Sequence, residues 1–317
     1  MISVRDIRAA VSEADAKLPR ICSNGRQLRD ISDEALKALQ AANNPPVLFA
    51  RSGQMVAVVK DEKQRLVIAE VNADALCGHL TRSANYFRVT AKLEEVGCPP
   101  PTVVVKDILA LPPAAWQFPP LDAIVAAPII RPDGTILDTP GYDAETHLFY
   151  APDPELHLLP IPENPTSEQV KAALELLDLA IGDFPFEDKA SRANLLAAML
   201  TPIIKPAIDA PSPLGLLDAP QEGTGKSLLC DVIAIIATGR AAEMFSAPKD
   251  PDEWRKVITT ALLSGTTVVT FDNISRPLDN PDLCSVLTST FWADRAMRTH
   301  SQLSLTIKAT FLAPSQR

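Results

Sequence analysis

Glycine is scarce in this chain, with 12 residues in 317 against 29 prolines. That balance favours rigid connections over flexible linkers. Long hydrophobic runs are missing too: no stretch of about 18 apolar residues occurs, so no segment has the length of a membrane-spanning helix. The first residues, MISVRDIRAAVSEADAK, lack a basic stretch followed by an apolar one. No secretory signal is therefore expected, and the chain reads as cytoplasmic with no membrane partner. Cys22, Cys77, Cys98, Cys230 and Cys284 are scattered and form no C-x-x-C pair or cluster with the four histidines. This excludes a disulfide framework or a zinc site and leaves buried reduced thiols. His147 and His157 have no metal-ligand partner at useful spacing.

Positive charge is also in short supply. Thirty Lys and Arg face 39 Asp and Glu, giving a net charge of −9 and a pI near 5.0. A protein that coats nucleic acid through bulk charge is excluded. From Ile204 onward there are 11 basic and 12 acidic residues, so residues 1–203 carry −8 of the total. Contact with DNA is expected only through a local patch in the C-terminal part, and the acidic N-terminal region suits a protein partner.

What is present is a globular composition, 46% hydrophobic and 22% charged, long enough for about two domains. Residues 1–98 read as an α+β domain. Helices are expected at Val4–Ala16 and Asp33–Ala42, then a meander of the runs Val47–Ala50, Met55–Val59 and Leu66–Val71, then a helix at Ala73–Asn85. Fifteen of the 29 prolines fall within 99–165. This stretch reads as an extended, packed connector with a small hairpin, its strand candidates being Ile124–Ile130, Thr135–Leu137 and His147–Tyr150. Trp116 and Phe118 read as packing residues. Residues 166–317 open with a capping box, Thr166 and Gln169, ahead of the apolar face Val170, Leu174, Leu177 and Ile181. A second helix is expected at Ala190–Leu200.

The informative segment is Leu214–Leu229. An apolar strand runs into Asp218-Ala219-Pro220-Gln221-Glu222-Gly223-Thr224-Gly225-Lys226-Ser227, and an apolar helix, Leu228–Ile236, follows. Strand, glycine loop, Lys-Ser and helix are the parts of a P-loop. Backbone N–H groups of Gly223, Thr224, Gly225, Lys226 and Ser227 would cradle the phosphates of ATP, Lys226 would reach the β- and γ-phosphates, and the Ser227 hydroxyl would ligate Mg²⁺. Pro220 stands where the pattern has its first glycine. Downstream, Thr266–Phe271 is a β-branched run ending in Asp272-Asn273, the shape of a Walker B strand whose aspartate holds Mg²⁺. Between the motifs lie a short strand, Glu243–Ser246, and a helix, Pro251–Leu263. After them a helix, Leu283–Phe291, and a strand, Leu303–Ala313, are expected, with Trp254 and Trp292 packing from helices.

From about Pro165 onward the chain resembles the ATPase module of phage and mobile-element primase-helicase proteins, relatives of the poxvirus-type superfamily-three helicases in the AAA+ class. The matching residues are Asp183-Phe184-Pro185-Phe186, Leu200-Thr201-Pro202, Ala219–Ser227, Phe271-Asp272-Asn273, Leu287-Thr288-Ser289 and Trp292-Ala293-Asp294-Arg295. Asn44–Phe49, Arg131–Gly134 and Pro140–Asp143 resemble the region that precedes that module. The resemblance implies an α/β fold with an AAA+/ASCE-like P-loop parallel sheet, a ring-forming homo-oligomer, and DNA as partner in replication. It also implies an extra strand and cross-subunit arginines beyond a polar sensor residue. Only 45 residues follow Asp272, so the sheet is expected to be incomplete at its C-terminal end, with Gln316 near the sensor position and the P-loop strand at a sheet edge.

The expected site residues are thus Lys226, Asp272 and Asn273 for catalysis, Gly223–Ser227 for nucleotide, and Ser227 with Asp272 for metal. Asn273 stands where glutamate usually activates water, and it can only hydrogen-bond that water. Hydrolysis is therefore expected to be weak in this chain. Glu222 and Asp294 read as solvated charges, and Arg295 and Arg298 as surface residues or contacts to a neighbour's nucleotide or DNA. The alternative reading is a non-catalytic interaction protein built on a truncated ATPase scaffold.

Overall fold

The computed structural model describes residues 18–153, 158, 160–208, 210–221, 223–274, 276–295 and 302–315. The expected helix Val4–Ala16 lies outside them. The chain forms two compact units, 1–121 and 122–317.

Among the described residues the first unit holds two three-stranded sheets. Strand β1 (Arg20–Cys22) runs parallel to β5 (Asn85–Val89), and β6 (Glu95–Gly97) is antiparallel to β5. Strands β2 (Leu48–Arg51), β3 (Gln54–Lys60) and β4 (Leu66–Glu70) form the expected antiparallel meander. Its first turn is tight because Ser52 and Gly53 both adopt positive φ, 49° and 84°, which matches the twist of the flanking strands. Helix α1 (Leu28–Ala42) starts ahead of its expected Asp33 and buries Ile31, Ala35, Leu36 and Leu39 along one face. It packs on Leu76 and Leu80 of α2 (Ala73–Ser83), which Asn72 caps by accepting from the Ala75 N–H at 2.9 Å.

The proline-rich stretch contains two short helices where an extended connector is expected. Helix α3 (Thr102–Ala110) fits between Pro99-Pro100-Pro101 and Pro112-Pro113, which flank it and do not interrupt it. It inserts Val104, Val105 and Ile108 into the same core. Beyond the short helix α4 (Pro113–Trp116), the Trp116 indole N–H donates to the Ile108 carbonyl at 2.7 Å, so Trp116 packs as its sequence context suggested.

The second unit begins with short strands. β7 (Ala123–Val125) is parallel to β11 (Leu148–Tyr150), which pairs antiparallel with β10 (Gly141–Asp143), while β8 (Ile129–Ile130) and β9 (Ile136–Leu137) make the small hairpin. The segments Arg131–Gly134 and Pro140–Asp143 meet here. The Arg131 guanidinium bonds Asp143 at 3.0 Å, and the second Asp143 oxygen accepts from the backbone and hydroxyl of Thr146 at 3.0 and 2.7 Å. Burial opposes the charge on Asp143, but the Thr146 and Arg131 hydrogen bonds outweigh it and hold the carboxyl below its ordinary range.

Helix α5 (Ser167–Ile181) carries the expected capping box, and α6 (Lys189–Ile204) follows. Then comes a four-stranded sheet, parallel throughout, built from β12 (Gly215–Leu217), β13 (Glu243–Ser246), β14 (Val268–Asp272) and β17 (Thr310–Pro314) in the order β12-β17-β14-β13. Helices α7 (Lys226–Thr238) and α8 (Pro251–Leu263) make the first two crossovers. The two inner strands are covered on both faces, which explains their unbroken apolar character. Val268 and Leu312 pack with α5, α6 and α7, whereas Val269, Phe271 and Phe311 face α8 and α9 (Pro281–Thr288). Phe271 stacks on Phe311 with centroids 6.0 Å apart, and Trp254 of α8 meets Phe271 edge-on at 5.0 Å. The sequence thus gives a mixed α/β chain with a parallel sheet, and among the described residues no helix is long and apolar enough to cross a membrane.

The C-terminal part differs from the expectation of one helix and one strand. Helix α9 ends at Thr288, and the chain turns into an antiparallel hairpin of β15 (Phe291–Arg295) and β16 (Gln302–Thr306). The expected strand Leu303–Ala313 is therefore two strands. The intervening residues Ile307–Ala309 pass from hairpin to main sheet, and the Ile307 N–H donates back to Thr290 at 2.9 Å. Trp292 lies on β15, not on a helix, and is buried.

A polar network fastens this hairpin to α8. Arg255 bonds Asp294 at 2.9 Å and Asp282 of α9 at 2.8 Å, and lies over the Trp292 ring at 5.0 Å. The Thr259 hydroxyl donates to Asp294 and accepts from the Trp292 indole N–H at 2.8 Å. Thr259→Val keeps the shape but leaves that buried indole without an acceptor. It should lower stability by about 2 kcal/mol, read from urea unfolding followed by tryptophan fluorescence. The depressed pKa of Asp143 makes its contribution present above the unfolded carboxyl value and lost as pH falls through the folded one. Asp143→Asn should therefore be less stable at neutral pH and show a shallower loss of stability than wild type between about pH 5 and pH 2, measured by thermal melts across that range.

Candidate functional site

The parallel sheet brings the two sequence motifs to one end. Leu217 is level with Pro314, and Leu312 pairs with Thr270, so Leu217 and Asp272 stand at the same height with β17 between them. At the usual strand spacing they are about 10 Å apart. Both lie at the carboxyl ends of their strands, where parallel α/β sheets hold ligands.

The loop after β12 owes its shape to two left-handed glycines, Gly223 at φ +75° and Gly225 at φ +86°. L-residues with a Cβ rarely adopt this backbone, so the spacing of these two glycines is a conformational requirement. Neither falls at position 220, and so Pro220, whose ring fixes a negative φ, can occupy the bend before them. A Cβ on Gly223 would meet nothing within 4 Å. The loop closes on itself: the Thr224 hydroxyl donates to the Gln221 carbonyl at 3.1 Å, and the Lys226 ammonium donates to that carbonyl at 2.9 Å and to the Thr224 hydroxyl at 3.4 Å.

Gly225 is also the N-cap of α7, and no side chain caps that end. The other helices of this unit, α5, α6, α8 and α9, are each capped by a side chain, from Thr166, Asp188, Asp250 and Asn280. The first turn of α7 therefore presents backbone donors together with the positive end of the helix dipole. Ser227 is exposed in that turn.

Across β17, one Asp272 oxygen accepts from the Asn273 N–H at 2.8 Å, and the Asp272 carbonyl accepts from Ala247 at 2.8 Å. Asn273 has φ 58°, a left-handed conformation that asparagine tolerates. The regular pairing of β14 is interrupted there, and Ile274 resumes it with a single parallel bridge to Ser315. Asp272 also acts on α7: burial pushes the Cys230 thiol up to about 12, and the charges of Asp231 and Asp272 push in the same direction. Cys230 is thus an inert core thiol. Asn273 borders a pocket of about 440 Å³ walled by Lys249, Trp254, Arg276, Leu278 and Asn280, beyond the ends of β13 and β14.

The loop residues Gly223, Thr224, Gly225, Lys226 and Ser227 are thus contiguous, and Asp272 and Asn273 lie at the same end of the sheet. Asp294 is elsewhere, neutralised by Arg255 in the hairpin network and not solvated. Glu222, Arg298, Gln316 and His157, and the side chain of Arg295, lie outside the described residues. Among the described residues no group of three or more His, Cys, Asp or Glu is placed to hold a metal. Sequence reasoning named Phe184 without a role. A Cβ on Gly225 would sit 3.0 Å from the Phe184 ring, and two aromatics flanking Pro185 were the only signal of it. No protein-family model matches the chain, and no curated protein matches it.

Proposed function

We propose that this chain is an ATP·Mg²⁺-binding P-loop ATPase related to the replicative helicases of phages and mobile elements. The observation that carries the reading is a glycine loop at an uncapped helix N-terminus, with Lys226 across its mouth and Asp272 level with it two strands away. The strand order β12-β17-β14-β13, with the last strand between the two motif strands, supports an AAA+/ASCE-like sheet.

The residues fit a nucleotide triphosphate. The N–H groups from Gly223 to Ser227 would hold its phosphates, and the Lys226 ammonium would exchange the Gln221 carbonyl for phosphate oxygen. Magnesium needs few protein ligands when phosphates and water supply the others. The Ser227 hydroxyl and the Asp272 oxygen not engaged by Asn273 suffice, which is compatible with the lack of a larger acidic cluster. The bound metal would neutralise charge on the phosphates. Asn273 can orient a water but cannot take its proton, so turnover by the isolated chain is slow. Binding to DNA and assembly into a ring belong to the same proposal and rest on the family resemblance.

A second reading, an interaction protein on an ATPase scaffold, draws on the acidic first 203 residues and on Leu176 and Leu179 of α5, which are 70% and 83% exposed. Size measured with and without ATP·Mg²⁺ separates the two: a nucleotide-dependent assembly supports the helicase reading, and one fixed size supports the adaptor.

Calorimetry is the direct test. Wild-type protein should bind ATP·Mg²⁺, and Lys226→Ala should weaken binding at least about tenfold, as loss of a charge-assisted contact predicts. Asp272→Ala should retain nucleotide but lose the gain in affinity that Mg²⁺ confers. Absence of binding by the wild type sinks the proposal.

A further inference from the structure

Of the two left-handed glycines in the loop, only Gly225 has a neighbour among the described residues where a side chain would be. The Phe184 Cε1 and Cδ1 atoms lie 3.0 and 3.5 Å from that point, while the space beside Gly223 is open. One turn of the loop is therefore backed by a rigid ring, and the other is not.

Phe184 is itself firmly placed. It lies in the connection between α5 and α6, with its N–H bonded to Ile181 at 3.2 Å and its carbonyl accepting from Phe186 at 3.0 Å. Ile181 is fully buried, and both phenylalanines pack on the cluster that includes Cys230, Ile233 and Ala234 of α7. Asp188 caps α6 through the Ser191 backbone and hydroxyl, and Asp178 of α5 pairs with Arg192 of α6. The ring thus rests against the core that α5, α6 and α7 share and against the residue that starts α7. Left-handed Gly225 has no side chain of its own to resist other backbone conformations, and packing from outside is what restricts it.

We propose that Phe184 is a positioning residue that holds Gly225, and so the N–H groups of Lys226 and Ser227, in the anion-binding arrangement. The inference deepens the nucleotide reading and rests on it. It assigns Phe184 to the phosphates and not to the base, so its removal weakens any ligand that carries the polyphosphate.

The experiment compares ATP with inorganic tripolyphosphate, both with Mg²⁺, by calorimetry on the full chain. Phe184→Leu keeps an apolar anchor in that shared core but lacks the ring atoms that reach Gly225, and it should bind both probes about tenfold more weakly at an unchanged melting temperature. Phe184→Tyr retains those atoms and should bind both like wild type. Phe184→Ala should match or exceed the loss in Phe184→Leu, and if it fails to fold the leucine variant decides. Wild-type affinity of Phe184→Leu for tripolyphosphate overturns the assignment, whether or not ATP binding falls, because a loss confined to ATP makes Phe184 a contact to the base. A wild-type protein that binds neither probe overturns the nucleotide reading, and this inference with it.

Discussion

The second unit depends on the insertion of β17 between β12 and β14. That one strand completes the sheet, supplies Phe311 to one layer and Leu312 to the other, and spaces the glycine loop from Asp272. Its residues Thr310–Pro314 are all buried, so its pairing and its packing are inseparable. Without β17 the strands carrying the two motifs would have no common register. The hairpin network contributes here as well, because Arg255 and Thr259 fix β15 and β16 immediately before the chain enters β17.

Much of this was legible where a local rule was strong. The short strand Glu243–Ser246 and the helix Pro251–Leu263, which opens on Asp-Pro, stand in the structure with the bounds expected of them. Thr166 and Gln169 announced α5 through reciprocal caps. The meander was readable from short apolar runs broken by Ser52-Gly53 and Asp61–Gln64. What escaped depended on partners distant in sequence. Leu303–Ala313 alternates apolar with polar residues as far as Thr310 and carries no glycine or proline, and only pairing with Phe291–Arg295 on one side and with β12 and β14 on the other divides it. Helix α3 was hidden by its own flanking prolines, whose effect on a segment they border is opposite to their effect inside it.

The glycine loop shows the same division. Residue types and spacing located the loop and Asp272, and the left-handed geometry of Gly223 and Gly225 explains why those two glycines count and why Pro220 is accommodated. Neither spacing nor composition could reveal that Phe184, some forty residues upstream, abuts Gly225, since that contact exists only once α5 and α6 have packed on α7. The motif Arg131 to Asp143 carries a related lesson. Arg131 and Asp143 satisfy one another, so a pair picked out by resemblance alone holds a fold together.

Among the described residues β12 has β17 as its single neighbour, with Leu216 more than half exposed. The loop consequently hangs from an edge strand of the sheet, while Asp272 projects from one of the two inner strands. Any ligand grasped by both becomes a staple from margin to centre, and part of its binding energy would appear as stiffening of the margin itself.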